Sequence, residues 1–337
     1  MRKNWIMAGF GILMVLIPAV CGACSPESAK DKEKRVFTYA ENQPEDYPTT
    51  QGAYRFAQLV AERTDDRIII QVNAAGVLGD ERLVIEQMQF GGVDFARVSL
   101  SPLANYVPEL DVLQMPYLYK DADHMWKVLE GPVGDRFLDS FGQSNLVALS
   151  WYDAGARNFY NSVKPIETLE DIRGMKIRVQ ESELMLKMIE AFGAEPSLMA
   201  YSEVYSGLQT GYVDGAENNW PSYEATNHYE VAKYITVDEH TRIPELQICA
   251  RSTWESLSEE DQEIIRQCAA ESAVYERELW AEREWIAEQN VRRSGTEVVV
   301  LTEAERERFR MAVLPLYEET HPEYMELMEL IMQMGEE

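Results

Sequence analysis

The chain has 337 residues, of which 46% are hydrophobic and 10% aromatic, a composition typical of a globular protein with room for two lobes. Its formal net charge is −27. That charge repels nucleic-acid phosphates and anionic headgroups, so it argues against nucleic acid as a partner. It is otherwise the solvated surface of a soluble protein, and an anionic ligand would need a local concentration of arginine.

Residues 1–24 are predicted to be an export signal, because a short basic end is followed by an apolar stretch too short to span a membrane. Cys24 follows two small residues and resembles the lipidated cysteine of a bacterial lipobox, although Cys21 stands where leucine is usual. We expect lipidation at Cys24, with cleavage to a soluble form as the alternative. Residues 25–35 are polar and are predicted to form a tether.

The first half of the chain is predicted to alternate strands and helices: strand 36–40, helix 49–63, strand 67–72, helix 81–90, strand 93–100, helices 121–129 and 135–141, and strand 146–151. The order β-α-β-α-β favours a parallel α/β sheet. Ligands of such sheets lie beyond the carboxyl ends of the strands. This rule places Glu41, Asn42 and Arg97 near one crevice.

The second half is predicted to contain strand 159–161, a helix start at 168–171, strand 175–179, a helix near 182–192, helix 201–210, a polar loop at 213–220, strand 243–250, a long helix from 252 to about 290, strand 296–301 and a helical end. The long helix would span about 50 Å, at 1.5 Å per residue. That length exceeds one lobe, so we expect it to brace both.

Two arginines lie in apolar, strand-like surroundings. Arg157 follows the apolar run 146–149, and Arg178 lies in the alternating segment 174–179, which is entered through a glycine turn. A guanidinium is the side chain best suited to hold a carboxylate with two parallel hydrogen bonds. The alternative for either arginine is a structural ion pair at a strand edge.

The residue types that carry catalysis or bind metals form no motif. The four histidines lack metal-ligand spacing, and no hydrolase, phosphate-loop or dinucleotide fingerprint is present. Cys249 and Cys268 match no zinc or redox motif, and they either pair or serve as two small buried hydrophobes. We therefore expect no metal, no cofactor and no enzymatic activity.

Several ordered motifs give the chain a resemblance that covers nearly all of its mature length. It resembles the extracytoplasmic solute-binding proteins of tripartite ATP-independent periplasmic (TRAP) transporters, of the dicarboxylate-binding type. The motifs are Leu78-Gly79-Asp80-Glu81, Gly92-Val93-Asp94, Gly155-Ala156-Arg157, the segment from Leu169 to Val179 and the segment from Tyr205 to Asn218.

The resemblance implies an α/β fold of two lobes, like other periplasmic binding proteins, with hinge strands and a long helix spanning both. Lobe I would comprise 36–154 and 244–283, and lobe II 155–243 and 284–337. The implied function is capture of a carboxylate solute by an extracytoplasmic monomer, which passes it to a membrane permease driven by a sodium gradient. The family's central arginine falls on Arg178, a second anion-contacting arginine on Arg157, and a polar ligand position on Asn218.

The first turn indicates which acid is bound. The carboxylates of Glu41 and Asp46 are poor partners for an anion but good partners for hydroxyl groups. Together with Asn42 they favour a sugar acid such as D-glucuronate or D-galacturonate. Arg97 is expected to offer a further fork. Turn and cap chemistry is the alternative for the three turn residues. A C4 dicarboxylate is the alternative ligand, and sensing for a two-component system is the alternative role.

Two further side chains are candidate ligand contacts. Trp151 precedes Arg157 and is expected to flank the cleft, where an aromatic ring can stack on a pyranose, although a place in the core is the alternative. His240 is predicted near the second crossing between the lobes. It would hydrogen-bond the ligand or else be a structural histidine.

Overall fold

The computed structural model describes residues 34–336. The predicted export signal at 1–24, the lipidation of Cys24 and nearly all of the predicted tether lie outside the described residues. Across residues 34–336, no helix combines the length and the apolar character that crossing a membrane requires.

The described chain contains eleven strands and fourteen α-helices. The strands are β1 (Arg35–Ala40), β2 (Ile68–Asn73), β3 (Phe95–Ser99), β4 (Leu146–Tyr152), β5 (Ala156–Asn161), β6 (Lys176–Val179), β7 (Glu195–Leu198), β8 (Gly215–Asn218), β9 (Tyr234–Arg242), β10 (Glu245–Ala250) and β11 (Glu297–Val300). The helices are α1 (Pro48–Arg63), α2 (Glu81–Gln89), α3 (Leu100–Leu103), α4 (Ala122–Leu129), α5 (Pro132–Asp139), α6 (Glu183–Ala191), α7 (Val204–Gln209), α8 (Trp220–Ala225), α9 (His228–Val231), α10 (Arg251–Glu255), α11 (Glu259–Arg293), α12 (Glu303–Val313), α13 (Pro315–Thr320) and α14 (Met325–Met334). Short 3-10 helices occupy Pro108–Gln114, Ser140–Gln143, Tyr201–Glu203 and Pro322–Tyr324.

The strands form two sheets, one in each lobe. The sheet of lobe I has the order β2-β1-β3-β10-β4, and that of lobe II the order β11-β9-β5-β8-β6-β7. In lobe I, β1 pairs in parallel with both β2 and β3, which confirms the predicted parallel opening. Strand β10 returns between β3 and β4 and is antiparallel to both. The chain therefore leaves lobe I after β4 and re-enters it at β10.

Strand β8 corrects the prediction of a polar loop at 213–220. It is fully buried and lies between β5 and β6, antiparallel to β5 and parallel to β6. A Cβ at Gly215 would lie 2.6 Å from the carbonyl oxygen of Tyr160, so only glycine allows β8 to approach β5 this closely. The polar side chains that follow Gly215 are buried in the middle of the lobe, where they need polar partners.

The predicted helix start at 168–171 is also wrong, because this segment forms turns. The Asp171 carboxylate accepts hydrogen bonds from the backbone N–H of Glu167 and of Thr168 and from the Thr168 hydroxyl. Those bonds close a turn rather than an N-cap, since aspartate competes well for nearby backbone donors.

The long helix spans both lobes, as predicted. Helix α11 has 35 residues and follows α10 after a break at Ser256–Ser258, where the Ser258 side chain accepts a hydrogen bond from the Asp261 N–H. It would extend roughly 50 Å at 1.5 Å per residue. It packs against α1 and β4 of lobe I and against α8 of lobe II, so one rigid element supports both halves.

Two short segments connect the lobes beside this helix: 153–155 between β4 and β5, and 243–244 between β9 and β10. Gly155 has a φ of +59°, which glycine adopts without strain. A Cβ there would also collide with the Glu284 carboxylate of α11. The predicted lobe boundaries at 154/155 and 243/244 fall in these connections, and the one at 283/284 falls within α11. The division of the chain at those residues stays a prediction.

The two predicted cysteines lie in one apolar cluster of lobe I. Cys249 belongs to β10 and Cys268 to α11, and both thiols are free and buried. Of the two alternatives raised by the sequence, the structure has the pair of small buried hydrophobes.

Candidate functional site

The lobes enclose a cleft that holds the main candidate site. One cavity of about 260 Å³ and an adjoining chamber of about 30 Å³ are lined by residues of both lobes. The residues that line both are Asn42 and Glu81 of lobe I, and Arg178, Gln180 and Tyr201 of lobe II. Most of the lining residues are polar or charged, and the larger cavity is of the order that suits a single small solute, somewhat below the roughly 300–1,000 Å³ of drug-sized sites.

Arg178 presents an open guanidinium edge to this cleft. It lies on β6, and its Nε and Nη2 donate to the carbonyl oxygen of Met199 at 2.9 and 2.7 Å. Its Nη1 is buried without a hydrogen-bond partner among the described residues. Since Nε and Nη2 form the occupied edge, two of the three remaining N–H groups form the Nη1–Nη2 edge, a fork that matches the two oxygens of a carboxylate.

Charge balance singles out the same residue. Burial lowers the pKa of Arg178, and the Glu217 carboxylate offsets this only in part. No described carboxylate forms an ion pair with its guanidinium. A buried cation without a counter-ion is costly, so the cleft is electrostatically prepared for an anion at Arg178.

Arg157, on β5, lines the smaller chamber but is largely occupied. Its Nε and Nη2 donate to the Glu217 carboxylate, Nη2 also donates to the Glu217 carbonyl oxygen, and Nη1 donates to Asn218 Oδ1 at 3.0 Å. Burial opposes its charge, but Glu217 raises the pKa of Arg157 above its ordinary value. One Nη1 hydrogen is left over, so Arg157 can add a single hydrogen bond to a ligand rather than a fork.

Asn218 is the neighbour of Glu217 on β8. Its Oδ1 accepts from Arg157 and from the Asn219 N–H at 2.9 Å, which fixes the orientation of the amide. The Asn218 Nδ2 group donates to no acceptor within residues 34–336. The amide N–H₂ therefore lies at the chamber wall as a donor for a ligand oxygen.

Arg97, on β3, is enclosed by acids. Its five N–H groups donate to five acceptors: the two Glu41 oxygens, Asn42 Oδ1, Glu81 Oε1 at 3.1 Å and Glu245 Oε2 at 2.8 Å. No N–H of this guanidinium remains for a ligand. The sequence prediction brought Glu41, Asn42 and Arg97 together correctly, but the fork expected of Arg97 is already filled by lobe I itself.

Three of the predicted contacts lie elsewhere. Asp46 is exposed on the turn before α1, and Trp151 packs in the apolar core that includes β4. His240 is completely buried, with Nδ1 2.9 Å from Asp238 Oδ2 and its ring stacked 4.3 Å from the Phe159 ring. None of the three is among the described residues that line the cleft cavities.

His240 instead contacts the carboxylate that orients Arg157. Its Nε2 lies 3.5 Å from the Glu217 carboxylate that holds Arg157. Burial opposes a charge on the imidazole, but Asp238 and then Glu217 raise the pKa of His240 to about 9. Burial acts to raise the pKa of Glu217, but the cations of Arg157 and His240 lower it to about 2. Arg157, Glu217 and His240 are thus all charged at neutral pH.

Sequence reasoning missed several lining residues. Gln180 follows β6 two residues after Arg178, and its buried Oε1 has no partner among the described groups. The rule that ligands lie beyond strand ends applies to it as it did to Asn42. Trp280 of α11, whose buried Nε1 likewise lacks a described partner, gave no local signal because its neighbours are ordinary helix residues.

Hydrogen bonds also cross the cleft. The Tyr47 hydroxyl lies 2.8 Å from the Ser222 hydroxyl, and the Tyr201 hydroxyl donates to Gln43 Oε1 at 3.3 Å. The Tyr47 ring packs edge-on against Trp280 at 5.8 Å. These contacts tie lobe I to lobe II and to the long helix at the cleft.

Comparison with known proteins agrees with this architecture. Residues 39–323 match the model of the bacterial extracellular solute-binding protein family 7. A solute-binding protein of Chromohalobacter salexigens is 38% identical over 288 residues, which are 86% of this chain and 85% of that protein.

Two solved structures are similar along nearly their whole length. A TRAP periplasmic solute-binding protein of Bradyrhizobium sp. BTAi1, in complex with α/β-D-galacturonate, has a TM-score of 0.86 and 38% identity, covering 89% of this chain and 100% of that one. A counterpart from Pseudomonas putida F1 with bound D-glucuronate has a TM-score of 0.86 and 36% identity, with 88% and 96% covered.

The match spans most of the chain, and the fold has two lobes, a long helix and a polar cleft between them. Proteins of this kind are extracytoplasmic transport components that work with membrane permease subunits. The chain belongs to the bacterial extracellular solute-binding protein family 7 and is a solute-binding protein of the TRAP type.

Proposed function

We propose that this protein captures a hexuronate, D-glucuronate or D-galacturonate, in the interlobe cleft and releases it unchanged. The observation that carries the proposal is the open Nη1–Nη2 edge of Arg178, buried in the cleft without a counter-ion among the described residues. A carboxylate on that edge receives two charge-assisted hydrogen bonds and neutralises the buried cation.

The remaining wall suits hydroxyl groups. Asn42 and Asn218 each have an amide N–H₂ group that no described acceptor occupies, and the Oε1 of Gln180 is an unoccupied acceptor. Amides donate to and accept from hydroxyls equally well. The uronates held by the Bradyrhizobium and Pseudomonas proteins support the same ligand class for this chain.

Roles follow for the site residues. Arg178 clamps the carboxylate, and the one spare Nη1 hydrogen of Arg157 reaches a second ligand oxygen. Asn42 and Asn218 hydrogen-bond ring hydroxyls, and Glu41 contributes by holding Arg97 in place rather than by touching the ligand. His240 acts through Glu217 on the orientation of Arg157.

The proposal is tested with protein freed of co-purified ligand by unfolding and refolding. Isothermal calorimetry with D-glucuronate and D-galacturonate should give saturable one-site binding, and the sugar should be recovered without chemical change. D-glucose and D-galactose are the matched controls, because they keep the ring and lack only the carboxylate. Hexoses that bind as tightly as the uronates, or succinate that binds more tightly, would overturn it.

We further propose that the protein acts as a monomer anchored by a lipid at Cys24 and passes its solute to a permease driven by a sodium gradient. The lipid anchor is checked by mass spectrometry of the mature N-terminus, where an unmodified residue would exclude the lipid. Uptake of labelled uronate into vesicles that hold the partner permease checks the transfer of solute and its dependence on sodium. Uptake without a sodium gradient would contradict the sodium coupling, and if no permease uses the protein, the sensing role takes the place of transport.

A further inference from the structure

The cleft has two electrically different walls. Arg157 and Arg178 stand on the lobe II side, while the lobe I side carries the acid cage, defined here as Arg97 with Glu41, Glu81 and Glu245. Three carboxyl groups surround one guanidinium, so the cage can hold two more negative charges than positive ones. Members of both walls line the same chamber of about 30 Å³.

The cage is closed to further anions by its hydrogen bonding. All five N–H groups of Arg97 are used within lobe I. An anion arriving at this wall would meet carboxylate oxygens and no free guanidinium donor. Buried like charges without added donors repel strongly.

The same cage has room for hydroxyl donors. Glu81 uses Oε1 for Arg97 and for the Ser99 N–H at 3.0 Å, and Glu245 uses Oε2 for Arg97. Glu81 Oε2 and Glu245 Oε1 accept no hydrogen bond from residues 34–336. Since ionised carboxylates are acceptors only, these two oxygens suit ligand O–H groups.

Titration of the cage agrees with the geometry. Burial and then the neighbouring Glu245 charge raise the pKa of Glu81 to about 7, although Arg97 acts in the opposite direction. Burial also raises the pKa of Glu245. Burial and neighbouring negative charge therefore already oppose ionisation of these two acids, in the direction that a further anion would reinforce.

We propose that the acid cage determines specificity by rejecting a second carboxylate, so that the protein accepts acids with one carboxylate and a hydroxylated far end and excludes dicarboxylates. The inference rests on the proposed function, because the first carboxylate is taken to lie on Arg178. Glu81 and Glu245 are the residues that set the selectivity, through charge and through their two free oxygens.

The discriminating ligands are D-galacturonate and its aldarate, galactarate, which keeps the hydroxyl configuration and has a second carboxylate at C1. D-glucuronate and D-glucarate form a second pair. Calorimetry is done at pH 8, above the pKa of about 7 of Glu81, where the charged form of this acid is favoured. A ligand carboxylate roughly 8 Å from one cage carboxylate, at an effective dielectric constant of about 20, should bind about 30-fold more weakly. We expect at least that preference for the uronate in the wild type.

Glu81→Gln and Glu245→Gln keep the shape of each side chain and remove its charge. Each should shrink the aldarate-to-uronate ratio of dissociation constants by up to about 30-fold, while the dissociation constant of D-galacturonate itself changes by under about tenfold. Because the ratio is compared between variants for the same ligand pair, ring and open-chain differences cancel. Circular dichroism and thermal unfolding verify that the variants fold. The ratio of dissociation constants in the wild type tests the proposal even if a variant does not fold.

The outcomes distinguish failure of the acid-cage proposal from failure of the proposed function. Aldarates that bind the wild type as tightly as uronates, or a ratio unchanged in both folded variants, would overturn the acid-cage proposal and leave hexuronate capture intact. Failure of every uronate to bind would instead defeat the proposed function. A preference for uronates that falls in the variants supports both.

Discussion

Replacing Arg178 with methionine separates its binding role from a structural one. The substitution keeps the apolar stem and removes the guanidinium. Among residues 34–336 that group donates hydrogen bonds only to the Met199 carbonyl oxygen. Glu217 already pairs with Arg157, so no carboxylate loses its counter-ion. We therefore expect a change in the free energy of unfolding of only about 1 kcal/mol, the value of an ordinary hydrogen bond.

Ligand binding should respond far more strongly. Truncating one partner of a buried, hydrogen-bonded charge pair costs roughly 2–5 kcal/mol, which is about 30- to 4,000-fold in the dissociation constant. Arg178→Lys keeps the charge but cannot present a planar fork, so it should fall between the wild type and Arg178→Met. This order distinguishes a fork from a simple point charge.

The assay is calorimetry with D-glucuronate, together with thermal unfolding with and without the ligand. Arg251→Met is the matched control, because the Arg251 guanidinium also donates to backbone carbonyl oxygens, those of Phe141, Ser144 and Leu146, but lies outside the cleft. The control should lose stability and keep its affinity. An unchanged affinity in Arg178→Met, or equal losses of stability in both variants, would refute the reasoning.

Three other outcomes follow from the same contacts. Despite burial, Asp238 raises the pKa of His240 to about 9, from an unfolded value near 6.5. The stabilisation from this pair is therefore complete below about pH 6.5 and is lost as the pH rises through about 9. Thermal unfolding from pH 6 to 9.5 should show that loss in the wild type and a flatter profile in His240→Gln. Tyr47→Phe removes the 2.8 Å contact with Ser222 across the cleft, so uronate should dissociate faster and bind about 5-fold more weakly in stopped-flow measurements, whereas an unchanged off-rate would deny the contact a role in closure. Gly155→Ala places a Cβ against α11 at a φ of +59°, so the melting temperature should fall. A melting temperature equal to that of the wild type would contradict the close packing of segment 153–155 on the long helix.

Much of the fold was predictable because its elements carry local signals. The apolar alternation of β1 to β3, the helix caps and the uninterrupted run of α11 can each be interpreted from a few neighbouring residues. Strand β8 was not predictable in this way, because its buried residues, Gly215–Asn218, are either small or polar. Its place between β5 and β6 depends on tertiary partners such as Arg157, which no local pattern describes.

The site was predictable to a similar degree. The rule for strand ends brought Asn42 and Arg97 to one crevice, and the family resemblance brought Arg178 and Asn218 to the cleft. Neither indicates whether a guanidinium is free. The difference between the open Arg178 and the saturated Arg97 arises from carboxylates distant in sequence, among them Glu245, which is 148 residues from Arg97.

The central claim is that Arg178 holds the acid group of the solute between the lobes. A crystal structure of the protein with D-galacturonate tests it most directly. The account predicts both carboxylate oxygens at about 2.7–2.9 Å from Nη1 and Nη2 of Arg178, with the Met199 contacts retained. A carboxylate placed against lobe I, or one that leaves Arg178 bonded to Met199 alone, would contradict it.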